Sequence, residues 1–521
     1  MKKILLTTAI ASIALAATAT DFSNGTFIVN EDWFGHGNST VNFFKNGEWS
    51  LRVIAEANGG IRRLGATACD GKIYGGDFYL ISKQANDGGD ADKQGGRLVV
   101  VDASTMVLKA SLPDIDPNGD KADGRSIVLI DDTKAYVSTS AGVYAFNPVT
   151  HATAKVSTID PSQTGTMLKA CGRAFIVNQK KGIYVLNTAD DSVIRLFVGT
   201  DYAENATFGS IVRSKDGYIN ASVCNSGGTT LNKILRINPA TLETSLIDLG
   251  AKGPNAIWGA WTPTTFCGSV QNNYLYWTNG SSVGATGTFV YRFDLDTNTA
   301  TELINIQPDG EKKYIYGASI RVSPLNDDIY TCQTIGSPYA NKVSLYIYDG
   351  TGDVKGIYPL PDYYWFPGVP VFTDDAAPVV HEMPVQTISK NDVTRISLSS
   401  FVTDDDNLDC DIEKTVTAIS NNSVVNKAEI DYSQDLFGEL VITPNDTDGE
   451  ADITIGINSN GKKSTAIIKV KTSGSGVETI STDDNSSPEY FDLNGRRIVG
   501  NPSSHGIYIK RQGKTVSKII L

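Results

Sequence analysis

The sequence predicts an all-β chain: a seven-bladed β-propeller, then an Ig-like β-sandwich and a small C-terminal β tail. Three observations predict it. One strand signature recurs at the spacing of four-stranded blades. Turn-forming residues follow the copies. Beyond the last copy, apolar and polar residues alternate without that repeat.

The signature is a run of apolar residues closed by Asp or Asn. It occupies 98–102, 143–147, 183–187, 234–238, 290–294 and 345–349, with a degenerate first copy at 40–44. The closing residues Asp102, Asn147, Asn187, Asn238, Asp294 and Asp349 lie 45, 40, 51, 56 and 55 apart, a period of propeller blades. A second strand precedes each copy; in the second repeat it is assigned to Ile73 and Tyr74, after a turn at Asp70 and Gly71. The first copy, near Thr26, has no inner strand before it, and the repeats end with an extra strand over 365–372. That strand is expected to complete the first blade and close the ring, which removes exposed sheet edges.

In such blades the loops joining strands two and three share one face with the loops joining blade to blade. Here those loops are long and aromatic: 30–38, 75–96, 199–209, 251–261, 307–317 and 361–368. The opposite turns are short. Long loops on a rigid scaffold carry function, and rings with a polar edge suit ligand faces. The expected ligand-binding residues are therefore Trp33, Phe34, His36, Arg62, Phe78, Arg125, Trp258, Trp261, Tyr316, Tyr364 and Trp365. The bland alternative is that each ring packs a loop onto the barrel.

Asp116, Asn118, Asp120 and Asp123 have oxygen ligands at calcium-loop spacing but lack the terminal Glu of an EF-hand. Calcium is the one ion this loop would take; no cofactor is otherwise indicated. The four histidines form no HExxH, and no GxSxG, phosphate loop or GxGxxG placed between strand and helix appears. An enzyme reading, a lyase or glycosidase, needs carboxylates facing each other roughly 5–10 Å apart at the ring mouth. Glu31, Asp32, Asp77 and Asp123 are the candidates. The expectation is no enzyme.

Residues 1–20 read as a signal peptide: Lys2 and Lys3, an apolar run over 4–16, then small residues at 17–19. No other run is long enough to span a membrane. A net charge of −13 excludes nucleic acid as partner of the body. The six cysteines, at irregular spacing, read as free, small apolar residues.

The expected domains are a signal peptide (1–20), the propeller (21–375), a β-sandwich (376–472), a linker (473–487) and a tail (488–521). In the sandwich, 401–408 and 449–455 resemble Ig-like or cadherin-like bacterial modules, and the acidic run 404–406 is a second calcium candidate beside its reading as a solvated loop. In the tail, Asn494-Gly495-Arg496 and Gly506-Ile507-Tyr508-Ile509 resemble the C-terminal sorting segments of Bacteroidetes secreted proteins. That resemblance implies type IX-type export. Residues 30–35 (Asn-Glu-Asp-Trp-Phe-Gly), the Asn-Pro-x-Thr turns and the blade count resemble the DUF5074 group of Bacteroidetes surface propellers. Related surface propellers capture cobalamin for outer-membrane transporters. The resemblance implies a secreted or cell-surface binding protein for a small organic ligand such as a corrinoid, or for a glycan, with an outer-membrane transporter or surface protein as partner. An adhesion scaffold is the remaining alternative.

Overall fold

A computed structural model describes residues 20–119, 121–255, 265–280, 287–390, 392–473, 487–512 and 515–520. The described residues are almost all strand and loop, with one short α-helix, Val53–Ala57. Between Thr26 and Phe372 lie seven four-stranded antiparallel sheets. Their inner strands are Ala66–Tyr74, Gly124–Asp131, Thr164–Ala170, Ala206–Arg213, Cys267–Gly268, Lys313–Val322 and Pro367–Phe372. Each of these touches the next, and Pro367–Phe372 touches Ala66–Tyr74, so the order is cyclic. Pro367–Phe372 pairs with Thr26–Asn30, joining both ends of this region in one sheet. The architecture is all-β and propeller-like.

Strand alternation sends apolar side chains to both faces of each sheet, and neighbouring sheets bury them against each other. Phe27 packs on Phe43 and on Phe78, with ring centroids 4.8 and 5.1 Å apart. Five cysteines are buried, the sixth half-buried, and all six are free.

The second repeat is phased differently from its sequence reading. Asp70 and Gly71 are no turn, and Ile73 and Tyr74 belong to the inner strand, which runs unbroken from Ala66 to Tyr74 with a register shift after Ala68. The hairpin turn is Gly75-Gly76, both left-handed at φ 59° and 86°. Consecutive positive φ values favour Gly-Gly. The Asp70 carboxylate instead accepts hydrogen bonds from the Ser126 hydroxyl and the Ile127 N–H of the next inner strand.

After the ring, two sheets share one core. One contains Gln386–Ser389, Glu413–Ile419, Gly449–Ser459 and Lys462–Ser473; the other Thr394–Ser397, Val425–Asp431 and Glu439–Pro444. Leu398, Phe401, Leu440, Ile442, Ile453, Ile455 and Ile468 are buried between them. A last small sheet is built from Glu489–Phe491, Arg497–Ile498, Ile507–Gln512 and Thr515–Ile520.

The two-sheet unit sits against the face that carries the short turns. The fully buried Arg213, at the end of its inner strand, reaches Asp411 at 3.2 Å and the Cys410 carbonyl. Asn460 donates to the Ile73 carbonyl, Asn458 to the Tyr74 hydroxyl, and Gln271 to the Asp405 carbonyl. Lys169 pairs with Glu413, and Lys463 with Asp132. A cavity of about 550 Å³ remains between the two units, lined in part by Tyr74, Lys169, Cys171, Asp411 and Tyr432. The acidic run is part of this contact. Asp404 accepts from the Ser459 hydroxyl, Asp406 accepts from the N–H groups of Asp375 and Ala376, and Lys462 pairs with Asp374.

Candidate functional site

Thr26–Asn30 runs out of the ring into residues 31–39, on the face opposite the two-sheet unit. The N–H groups of Glu31 and Asp32 donate to the carbonyls of Phe366 and Trp365, which extends the closing pairing into the loop. Asp32 and Phe366 both have positive φ, 55° and 42°. Such a conformation is uncommon for a bulky aromatic residue and concentrates at functional positions.

A second loop, 85–97, locks the first. Asp87 accepts from the Gly35 N–H at 2.7 Å, and Asp90 from the Asn38 N–H at 3.0 Å. Asn38 accepts from the Asp87 N–H and donates to Asn86. On this frame Trp33 stacks on His36, centroids 3.6 Å apart, and meets Tyr364 at 4.4 Å. Trp33 is 40% exposed and Phe34 63% exposed, so the loop presents rings to solvent. Tyr364 lies 6.2 Å from Phe366, which lies 5.3 Å from Tyr316.

Beneath this ledge are charged groups. Asp32 is buried; one oxygen accepts from the Thr40 hydroxyl and the other pairs with Arg62 at 3.2 Å. Burial pushes its carboxyl up to about 7 even though the Arg62 guanidinium opposes the rise. Arg62 also donates to the Asn38 carbonyl. Burial works most strongly against its charge, but Asp32, Tyr363 and Asp90 together outweigh that and raise its pKa. Glu31 is buried too, and accepts from the Tyr316 hydroxyl at 3.1 Å. Burial holds its carboxyl well above the usual range. The Tyr316 hydroxyl is pushed up by burial and then by Glu31.

The structure therefore gathers Trp33, Phe34, His36, Arg62, Tyr316 and Tyr364 around one rim, with Tyr316 buried beneath it. Arg125 lies near the start of Gly124–Asp131 and donates to Gln163. Two expectations are corrected. Phe78 is on a second strand, fully buried against Phe27. Trp365 is 2% exposed; it packs on Tyr363 and Arg52 and donates its indole N–H to the Pro361 carbonyl. Both are core residues, because the strand pleat and the loop path turn them inward. Asp77 starts a strand at the opposite face and pairs with Lys109. Trp258 and Trp261 lie outside the described residues.

Within the calcium loop, the described Asp116 is already engaged. Asp116 is buried, and its two oxygens accept from the Tyr144 hydroxyl and the Asn118 N–H. Asp123 offers its N–H to Ser140, and Asp120 lies outside the described residues. Among the described residues no three His, Cys, Asp or Glu side chains form a metal-binding group. Sequence reasoning missed Asn38, Asp87, Asp90 and Phe366, which hold the rim in place. Polar loop residues carry no periodic signal, so nothing in the sequence marks them.

The fold is shared with a quinonprotein alcohol dehydrogenase-like protein of Bacteroides thetaiotaomicron, at TM-score 0.51 and 14% identity over 68% of this chain and 79% of that one. A protein described as the extracellular domain of a hybrid two-component system from the same organism aligns at TM-score 0.42 and 11% identity, over 86% of this chain and 55% of its own. Among the described residues no helix is long and apolar enough to cross a membrane. No curated protein matches the chain. The family DUF5074, a domain of unknown function, matches residues 24–373, and the chain belongs to it.

Proposed function

We propose that this chain is a secreted or cell-surface binding protein without catalytic activity. Its seven sheets are the blades of one closed propeller, and the rim around Trp33 captures a small ring-shaped ligand, a glycan or another flat organic molecule. The two-sheet unit is an Ig-like module, and 488–521 a sorting-type segment. The observation that carries the reading is the ledge of Trp33, His36 and Tyr364, in which Trp33 and His36 are exposed on a loop that Asp87 and Asn38 hold in place and Tyr364 packs half-buried against Trp33. Proteins seldom leave large rings clustered in water without a use, and rings fixed in advance lose little entropy on binding. The carboxylates support binding over hydrolysis: Glu31 and Asp32 are adjacent and buried, and Asp77 is on the other face.

Isothermal titration with a panel of oligosaccharides and cyanocobalamin tests this. Trp33→Ala and Tyr364→Ala should each weaken the bound ligand at least tenfold, with an unchanged melting temperature. Undiminished binding by both variants would remove the rim as the receptor.

A further inference from the structure

The aromatic ledge does not end at Phe366. Strands Ile329–Ile335 and Val343–Tyr348 are neighbours in one sheet, and the loop between them reaches the same rim. The Tyr363 N–H donates to the Asn341 carbonyl of that loop and fixes it beside residues 361–366. Its Tyr339 is 54% exposed, with its ring 6.3 Å from Phe366. Trp33, Tyr364, Phe366 and Tyr339 thus form one row drawn from three loops, with steps of 4.4, 6.2 and 6.3 Å. The two ends of the row, Trp33 and Tyr339, are exposed, and the two rings between them are half-buried.

The tilt of the rings selects the shape of the ligand. Neighbouring planes differ by 38°, 26° and 58°. A rigid flat molecule that lies on one such plane stands off the next. A single small ring covers one step and leaves Tyr339 bare. A chain of rings that can turn at each linkage meets the faces in succession. The groups still open to a ligand select its chemistry. Asp87 and Asp90 are spent on backbone N–H groups, and Arg62 on Asp32 and the Asn38 carbonyl. The N–H groups of Gly35, His36, Tyr339 and Tyr363 are bonded within the loops, so they offer an added peptide strand no ladder. What remains is ring faces edged by phenols and the His36 imidazole. A phenol and a neutral imidazole both donate and accept, as a sugar hydroxyl does, and rings with a polar edge suit such a partner.

We propose that the rim receives a neutral oligosaccharide laid from Trp33 to Tyr339, with successive sugars on successive rings, and that Tyr339 is its far subsite. This rests on the binding-face reading above. Isothermal titration of the full chain tests it, with neutral di- and hexasaccharides of the glucan, xylan and mannan types, cyanocobalamin as a rigid macrocycle and hexaproline as a ring-bearing peptide. One hexasaccharide should bind at least tenfold more tightly than its disaccharide. Tyr339→Ala should remove most of that gain and leave the melting temperature unchanged, while Tyr339→Phe, which keeps the ring, should retain most of it. Trp33→Ala should weaken the hexasaccharide at least tenfold.

Several results overturn the proposal. If disaccharide and hexasaccharide bind equally, or Tyr339→Ala binds the hexasaccharide as the parent does while Trp33→Ala loses it, the far subsite falls and the rim stands. If only cyanocobalamin or hexaproline binds, and Trp33→Ala abolishes it, the oligosaccharide falls and the rim stands. If nothing in the panel binds, or neither Trp33→Ala nor Tyr339→Ala changes binding, both fall.

Discussion

Trp365 buries its ring against Tyr363 and the Arg52 guanidinium and gives its indole N–H to Pro361, while Trp33, on the same rim, keeps 40% of its surface in water. Their substitutions should separate accordingly. Trp365→Ala empties a core site and should cost about 3–5 kcal/mol, visible as a lowered urea midpoint. Trp33→Ala should change stability by less than about 0.5 kcal/mol, and the same urea titration checks it. Residues 361–368 are so rich in rings that sequence alone marked an aromatic loop without telling which ring turns inward. Phe78 shows the same limit: an aromatic residue after Gly75-Gly76 reads as a loop residue until the turn is recognised as two residues long.

The loops 31–39 and 85–97 form one element through Asp87 and Asn38, although about fifty residues of chain separate the partners. Asp87 accepts from Gly35 and Gly89, both backbone donors. Asp87→Ala should free these N–H groups, and a lost buried hydrogen bond of this kind is worth about 1–3 kcal/mol. Hydrogen exchange should then speed up at Gly35 and Gly89, with the strand Thr26–Asn30 still protected. Slow exchange at both glycines in the variant would show that the loops stand independently. At this scale the strands were legible, because apolar alternation repeats seven times and the Asp/Asn closure six, with only one error of phase. The loop-to-loop clasp was not, because it consists of single side chains meeting backbone groups.

The two-sheet unit is fastened to five successive inner strands or their turns, through Tyr74, Asp132, Lys169, Arg213 and Gln271. Arg213 is buried with Asp411 as its ion-pair partner, so Arg213→Ala leaves Asp411 short of its cation and opens a gap. A loss of about 1–3 kcal/mol follows from the lost charged hydrogen bonds of the buried arginine, since Asp411 itself stays partly in water, read as a lower calorimetric transition. Asp406 adds a pH dependence. Burial, and then the Asp404 carboxyl beside it, push Asp406 up to about 7 from an ordinary 3.8. The folded chain therefore holds this proton between roughly pH 4 and 7 while the unfolded chain releases it, so its contribution to stability is lost as pH rises through 7. Asp406→Asn removes that loss. Its melting temperature relative to the parent should climb from pH 5 to pH 8, and a constant difference would show that Asp406 is ionised throughout. Sequence announced two β units but not their docking, since the contact is made by scattered turn residues with no shared motif.

Clamping five neighbouring sheets from beneath also has a mechanical result for the rim above. Two sheets cannot swing apart without tearing polar contacts on the underside, so the ring resists breathing as a drumhead resists when its hoop is tightened. Trp33 and Tyr364 rise from a sheet outside those five, which packs directly against the first of them at Ala66–Tyr74, so part of their support comes from chain that never meets the ligand. Arg213→Ala, far below the rim, should accordingly slow ligand association and widen the range of ring sizes the rim accepts.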